Sequence, residues 1–253
     1  MSLTNEIEAI YALWKRELIS FFRSKSRLIG SLGMPFFFLA ILGTGLNTIF
    51  NIPGQGNYLE FITPGIIGMV LMFGSMFAGI IVIMDRQFGF LKETLVAPVS
   101  RLSIVLGKAL GGATTAMVQG TIIMIVAIFL GVQIQAINLV LLFVFMMLIS
   151  VMFVSLGIAI ASRLEDMHGF QIIMNFLIMP LFFLSGALFP LSSAPELLRN
   201  AAYFDPLTYG VNGLRYLLLG YSDISFPVCF GVISVFTIVF IGIAIFLFNK
   251  IEE

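Results

Sequence analysis

Charge is what this sequence has least of. Only 10% of its 253 residues are Asp, Glu, Lys or Arg, while 60% are hydrophobic and the mean hydropathy is +1.10. A soluble domain of this length would carry roughly a quarter charged residues. The deficit excludes one and indicates a polytopic, all-α membrane protein. The 13 cations balance the 13 anions, so there is no global basic field to hold nucleic acid. A single cysteine, Cys229, lies inside an apolar run, which excludes a disulfide framework and reads as packing. A single histidine, His168 in "RLEDMHG", cannot build a metal site. Its neighbours Glu165 and Asp166 read as solvated, so the loop is assigned no catalytic role. A phosphate-cradling G-x-x-x-x-G-K-S/T is absent; in "GKALGG" the lysine is followed by Ala109. So little soluble sequence leaves no room for an ATPase domain. The opening "MSLTNEIEAIYALWKRELISFFRSK" begins acidic and lacks the short apolar core and cleavage site of a signal peptide, so it is read as retained.

What is present is a set of long apolar runs. A bilayer core of about 30 Å needs roughly 20 helical residues at about 1.5 Å each. Six runs meet that demand, at about 28–50, 61–84, 109–131, 139–162, 170–191 and 226–248. Their interiors hold no Asp, Glu, Lys or Arg, so helices there satisfy every backbone group and strand no ion in hydrocarbon. With both termini on one side, that side collects eleven cations: Lys15, Arg16, Arg23, Lys25, Arg27, Arg86, Lys92, Arg101, Lys108, Arg163 and Lys250. The other side receives Arg199 and Arg215. The bias predicts a multi-pass protein of the cell membrane with cytoplasmic termini. Tyr58, Tyr203, Tyr209, Tyr216 and Tyr221 fall in the outer connections, where amphipathic rings favour the headgroup level. No repeat or linker divides the spans, so residues 28–253 read as one six-span membrane domain preceded by a segment at 1–27.

In that first segment Ile7, Ile10, Tyr11, Trp14, Leu18, Phe21 and Phe22 recur at three- and four-residue spacing, with Glu6, Glu8, Lys15, Arg16 and Arg23 largely opposite. The pattern predicts an amphipathic interfacial helix with Trp14 in the acyl boundary and Lys15 and Arg16 near lipid phosphates. The same stripe could instead pack on a soluble partner.

Between spans two and three, "DRQFGFLKETLVAPVSR" predicts a short cytoplasmic helix with Phe88, Leu91 and Leu95 on one stripe. Pro98 limits it, because the residue before proline is pushed out of the helical region. Asp85, Arg86, Lys92, Glu93 and Arg101 supply charges of both signs. An apolar ridge with a polar rim fits a groove on another protein; a solvated loop is the plainer alternative.

Two blocks go further. "LVAPVSRLSIVLGKALGG" with the following "MVQG", and "FLSGALFPLSSAPELLRNAAYFDPLTYGVNGLR", together about a quarter of the chain, resemble the permease subunits of type-2 ABC exporters. That family includes drug-resistance, lipo-oligosaccharide and polysaccharide export permeases. The resemblance implies that Arg86, Phe88, Leu91, Lys92, Glu93, Leu95, Pro98 and Arg101 form a coupling segment docked on a separate ATP-hydrolysing subunit. Relatives commonly read Gly-Thr-Leu-Glu where this chain has "GFLK", with Glu93 next door. It further implies two ATP-binding subunits carrying the ATP and Mg, a second permease copy forming a homodimer, and no cofactor on this chain. The cargo expected of a charge-free path is amphipathic: a drug, a lipid or a lipid-linked glycan.

Within the spans, Gly112, Ala116 and Gly120 form a small-residue face suited to close helix packing, within the chain or between copies. Gln119, Gln171 and Asn175 are candidates to line a path, or to bond neighbouring helices. Pro180 can kink span five. Proline-initiated helices are expected near 195–204 and 206–220, in or dipping into the outer leaflet. A secondary transporter would need intramembrane acids or matched broken helices. An embedded hydrolase would need a base beside Ser150 or Ser155. Neither is evident, and a pure scaffold is the remaining alternative.

Overall fold

A computed structural model describes residues 3–46, 57–135, 139–164 and 166–250, without the side chains of Leu3, Arg27, Lys92 and Leu95. The predicted end of span one (47–50) and Glu165 lie outside these. The described residues are helical throughout apart from short connections. In chain order they form α1 (Leu3–Arg23), α2 (Lys25–Phe37), α3 (Tyr58–Met76), α4 (Ala78–Gln87), α5 (Phe90–Val96) and α6 (Arg101–Phe129). There follow α7 (Leu139–Ala161), α8 (Met167–Leu184), α9 (Glu196–Ala202), α10 (Pro206–Leu219) and α11 (Phe226–Phe248). Among the described residues five stretches are long and apolar enough to cross a membrane, or up to six if the bent α1–α2 pair counts as one.

Spans four and six fall where expected, as α7 and α11. Span one starts at Lys25, and beyond Phe37 it continues as a π-helical stretch, Phe38–Gly43. Pro35, whose ring offers no N–H to the ladder, precedes that change. Span two runs longer than its apolar run, from Tyr58 to Gln87, with a break at Phe77 between α3 and α4. Span five ends earlier, at Leu184, before Gly186 turns the chain with φ +71°. Span three is the largest correction. Its helix begins at Arg101, not near 109, so Lys108 lies two turns inside it and is buried. The apolar run itself, 109–131, holds no charged residue, as expected; the helix extends beyond it.

α3 is apolar on every side, the pattern of a helix surrounded by others. Phe61, Ile62, Ile66, Ile67, Leu71 and Met72 are fully buried, and α6, α7 and α10 pack around it. α10 is more deeply set than an outer-leaflet helix: Leu207, Val211, Leu214 and Leu218 are fully buried against the core. By contrast α8 and α11 leave large apolar side chains uncovered, among them Phe176, Val235 and Ile238. Uncovered apolar surface on a spanning helix is what hydrocarbon solvates.

Small residues set the interhelical distances. Gly112 and Gly120 face Ala78 and Val154, and Leu71 and Met146, so the small-residue face of α6 serves packing within the chain. α7 meets span two backbone to backbone at the α3–α4 break: a Cβ on Gly79 would lie 2.6 Å from the carbonyl oxygen of Gly157, and one on Gly157 2.9 Å from that of Met76.

Backbone cannot yield as a side-chain tip can. Gly157→Val is therefore expected to cost about 1–3 kcal/mol through overpacking. Gly231→Val, where a Cβ meets nothing within 4 Å, serves as control. Thermal unfolding of both variants in detergent checks this; equal midpoints would refute the close approach.

Candidate functional site

The face that carries both described chain ends also carries the segment between α4 and α6. Gly89, at φ +81°, starts α5, and Ala97 leaves it extended (ψ 143°), as a residue preceding proline should. The predicted short helix is present over seven residues. Its outward apolar surface differs from the expected stripe. Phe88 (66% exposed), Phe90 (51%) and Val96 (78%) are left uncovered, Phe90 with the Arg16 guanidinium 5.5 Å from its ring centroid, whereas Leu91 is 2% exposed and packs into the core. Leu91 is therefore removed from the outer ridge and Phe90 takes its place. Glu93 and Pro98 are exposed; Lys92 and Leu95 sit on α5.

Behind the ridge, charged groups tie this segment to its surroundings. Asp85, at the end of α4, is 4% exposed and forms ion pairs with Arg16 of α1 and Lys108 of α6. Arg86 turns inward, its guanidinium donating to the carbonyls of Ser162 and Leu164, each at 3.2 Å, just past the end of α7. Arg101 donates to the carbonyls of Phe248 (3.2 Å) and Asn249 (2.9 Å) at the end of α11. Cations at helix C-termini satisfy orphan carbonyls and complement the helix dipole. Ser100 caps α6, its hydroxyl accepting from the Ser103 N–H, and donates from N–H and hydroxyl to the Glu6 carboxylate at 2.8–3.0 Å. Hydrogen bonds from the Ser103 and Ser100 hydroxyls and the Ser100 N–H hold the Glu6 carboxyl below its usual range.

α1 is thus part of the assembly. Its Leu13–Glu17 face lies against α6, where Cβ atoms on Gly107 and Gly111 would fall 2.8 Å from Leu13 Cβ and 2.6 Å from Glu17 Cβ. The Trp14 indole donates to Thr114 Oγ1 at 3.1 Å. Trp14 was expected in the acyl boundary and Arg16 at lipid phosphate; the structure commits both to protein partners. Lys15 stays exposed, over the Tyr11 ring at 5.9 Å. Ile7, Tyr11 and Phe22 keep an apolar face uncovered. Sequence reasoning missed Lys108, Glu6 and Phe90 as site residues and treated Asp85 as mere rim charge. A signal was available: opposite charges close the apolar run of span two and open that of span three, so the two ends of one connection meet.

The candidate path residues divide. Gln119 is buried and borders a largely apolar cavity of about 430 Å³ between α2, α3 and α8, with Met34, Phe38, Met69, Phe73 and Phe182. Gln171 and Asn175 do not line it; they lie exposed on α8. At the opposite end of the molecule, Asp205 caps α10 by accepting from the Leu207 N–H at 2.8 Å, and burial pushes its carboxyl up to about 7. Arg215, 2% exposed, stacks on Phe61 (4.3 Å to the centroid) and donates to the Gly186 carbonyl at 3.1 Å. It thereby joins α10 to α3 and to the exit of α8. Among the described residues no group of three or more His, Cys, Asp or Glu is placed to hold a metal ion.

Residues 8–219 match the family model described as ABC-2 type transporter. The chain is 32% identical over 215 residues to the transport permease ycf38 of Cyanophora paradoxa, covering 83% of this chain and 74% of that protein. It is 28% identical over 231 residues to nodulation protein J of Rhizobium leguminosarum bv. trifolii (90% and 88% covered). To the inner membrane transport permease YadH of Escherichia coli K12 it is 25% identical over 239 residues (92% and 91%).

Asp85→Asn leaves the Lys108 ammonium buried without its counter-charge, a change expected to cost about 3–5 kcal/mol. Adding Lys108→Met removes the stranded charge and should restore most of that loss. A double-mutant cycle on unfolding in detergent measures it; additive losses would show that the pair is not coupled.

Proposed function

This chain belongs to the ABC-2 type transporter family, and we propose that it is the membrane subunit of an ATP-driven exporter whose motor is a separate chain. Its place as a transport permease follows from that kinship. The observation that carries the rest is the construction of the α4–α6 segment. An apolar ridge of Phe88, Phe90 and Val96 is presented outward on a short helix, while its root is fastened to α1, α6, α7 and α11. A ridge of this size fits a groove on a folded partner. The fastening lets a push on the ridge reach the four elements together.

ATP and Mg then sit on two copies of that partner, and this chain catalyses nothing itself. The eleven cations on the ridge-bearing side argue for a cytoplasmic location of both termini in the cell membrane. The uncovered polar face of α8 supports two copies of the permease. Gln171 and Asn175 lie uncovered on α8 among Ile172 and Phe176, and amide side chains facing hydrocarbon lack hydrogen-bond partners. A second copy seated on α8 supplies them and encloses the α2–α3–α8 cavity between the two chains. The apolar lining suits an amphipathic cargo.

Phe88→Asp/Val96→Asp changes the two most exposed side chains of the ridge, so the chain should fold, purify as before and lose its ATPase partner. Substrate-stimulated ATP turnover should fall to that of the partner alone. Leu91→Asp, in contrast, should reduce the yield of folded permease. Unaltered co-purification and turnover in the double variant, or transport by this chain with no nucleotide-hydrolysing partner, would overturn the reading.

A further inference from the structure

Where α1 meets α2 the helices turn through 71°, and the inside of that elbow is an open recess. Its lining includes Lys15, Arg16, Arg23 and Lys25, with Ser24 and Ser26 between them, and no acidic side chain. Asp85 engages Arg16 from behind; Lys15, Arg23 and Lys25 are exposed. Like charges gathered without a counter-ion repel one another, so the recess favours an anion. Its level relative to the bilayer is marked by its neighbours. Ile19 on its wall, Phe22 beside it and Ile29 one turn beyond are large apolar side chains left uncovered, as at an interface between headgroups and acyl chains.

The recess and the apolar cavity are lined by successive residues along α2. Ser26, Gly30 and Met34 follow at four-residue spacing on α2; the first lines the recess and the other two line the cavity. One helical turn, about 6 Å, separates the two compartments. Gly30 stands at the threshold, and a Cβ built there meets nothing within 4 Å. The cavity, at about 430 Å³, lies within the roughly 300–1,000 Å³ span of small-molecule sites.

We propose that elbow and cavity form one bipartite site for an anionic amphiphile. The phosphate of a lipid-borne headgroup rests on Lys15, Arg23 and Lys25, and its hydrocarbon passes Gly30 into the space between α2, α3 and α8. The inference rests on the permease reading and narrows its cargo from amphipathic molecules in general to those with a negatively charged head. Three cations and a greasy slot one turn apart discriminate by charge first and by tail second.

The test is a titration of the purified chain, in uncharged detergent, with tail-labelled phosphatidylglycerol and with phosphatidylcholine of the same acyl chains, read by fluorescence anisotropy. Phosphatidylglycerol should bind the more tightly. Arg23→Gln/Lys25→Gln should weaken it roughly 25-fold, the attraction of two surface cations for a headgroup phosphate, and should weaken phosphatidylcholine, whose choline offsets its phosphate, far less. Gly30→Leu should abolish binding of both lipids with the thermal midpoint preserved, because its Cβ has room and its side chain blocks the threshold. Inorganic phosphate should not displace the lipid. Equal affinity for the two lipids, a preference that survives the double substitution, or displacement by phosphate alone would each sink the site. Selective lipid binding by a chain that neither joins an ATPase nor moves lipid would uphold this site and overturn the transport reading instead.

Discussion

A carboxylate shut away from water holds the inner face together. Asp85 lies between a guanidinium from α1 and an ammonium from α6. Burying such charges is costly unless each finds its opposite. Once Asp85 is fixed, the helix preceding the bundle, the second span and the third must keep a common register. Most of the remaining contacts between helices are apolar packing.

Around that anchor the polar contacts are unevenly distributed. Arg86 and Arg101 stand at opposite ends of the short connection and reach the ends of α7 and α11, while Glu6 seals the start of α6. The spans therefore share a rigid base. α8 and α2 are more thinly covered: Phe176 is 84% exposed and Ile29 71%. Contacts that bind elements tightly at one end and loosely at the other permit tilting about the tight end, the small-amplitude rearrangement expected of packed helices. The cavity beside α2 and α8 lies in the loosely held part.

How much was legible in the sequence follows from where the information resides. α7 and α11 are uninterrupted apolar runs with polar residues at each end, and hydropathy locates them nearly to the residue. α6 was misjudged because hydropathy sees Lys108 as an end, whereas a helix ends only where its hydrogen bonding does. Phe88 was correctly read as exposed and Leu91 incorrectly, since the two lie on one stripe only if the helix begins before Gly89; the positive φ at that glycine starts it afterwards and rotates the face. Trp14 and Arg16 were assigned to lipid because an amphipathic stripe does not say which apolar surface it meets. The decisive facts, Gly107 and Gly111 on α6, are about 90 residues away and mean nothing until the two helices are side by side.

The bond from the Trp14 indole to Thr114 has a spectroscopic consequence. The chain contains one tryptophan, so its red-edge ultraviolet excitation is confined to a single chromophore, wedged in the seam between α1 and α6. Emission colour and lifetime from the unlabelled protein accordingly track that seam's hydration and leave the remaining helices dark. Nature has in effect placed a lamp at the junction through which the first helix joins the bundle.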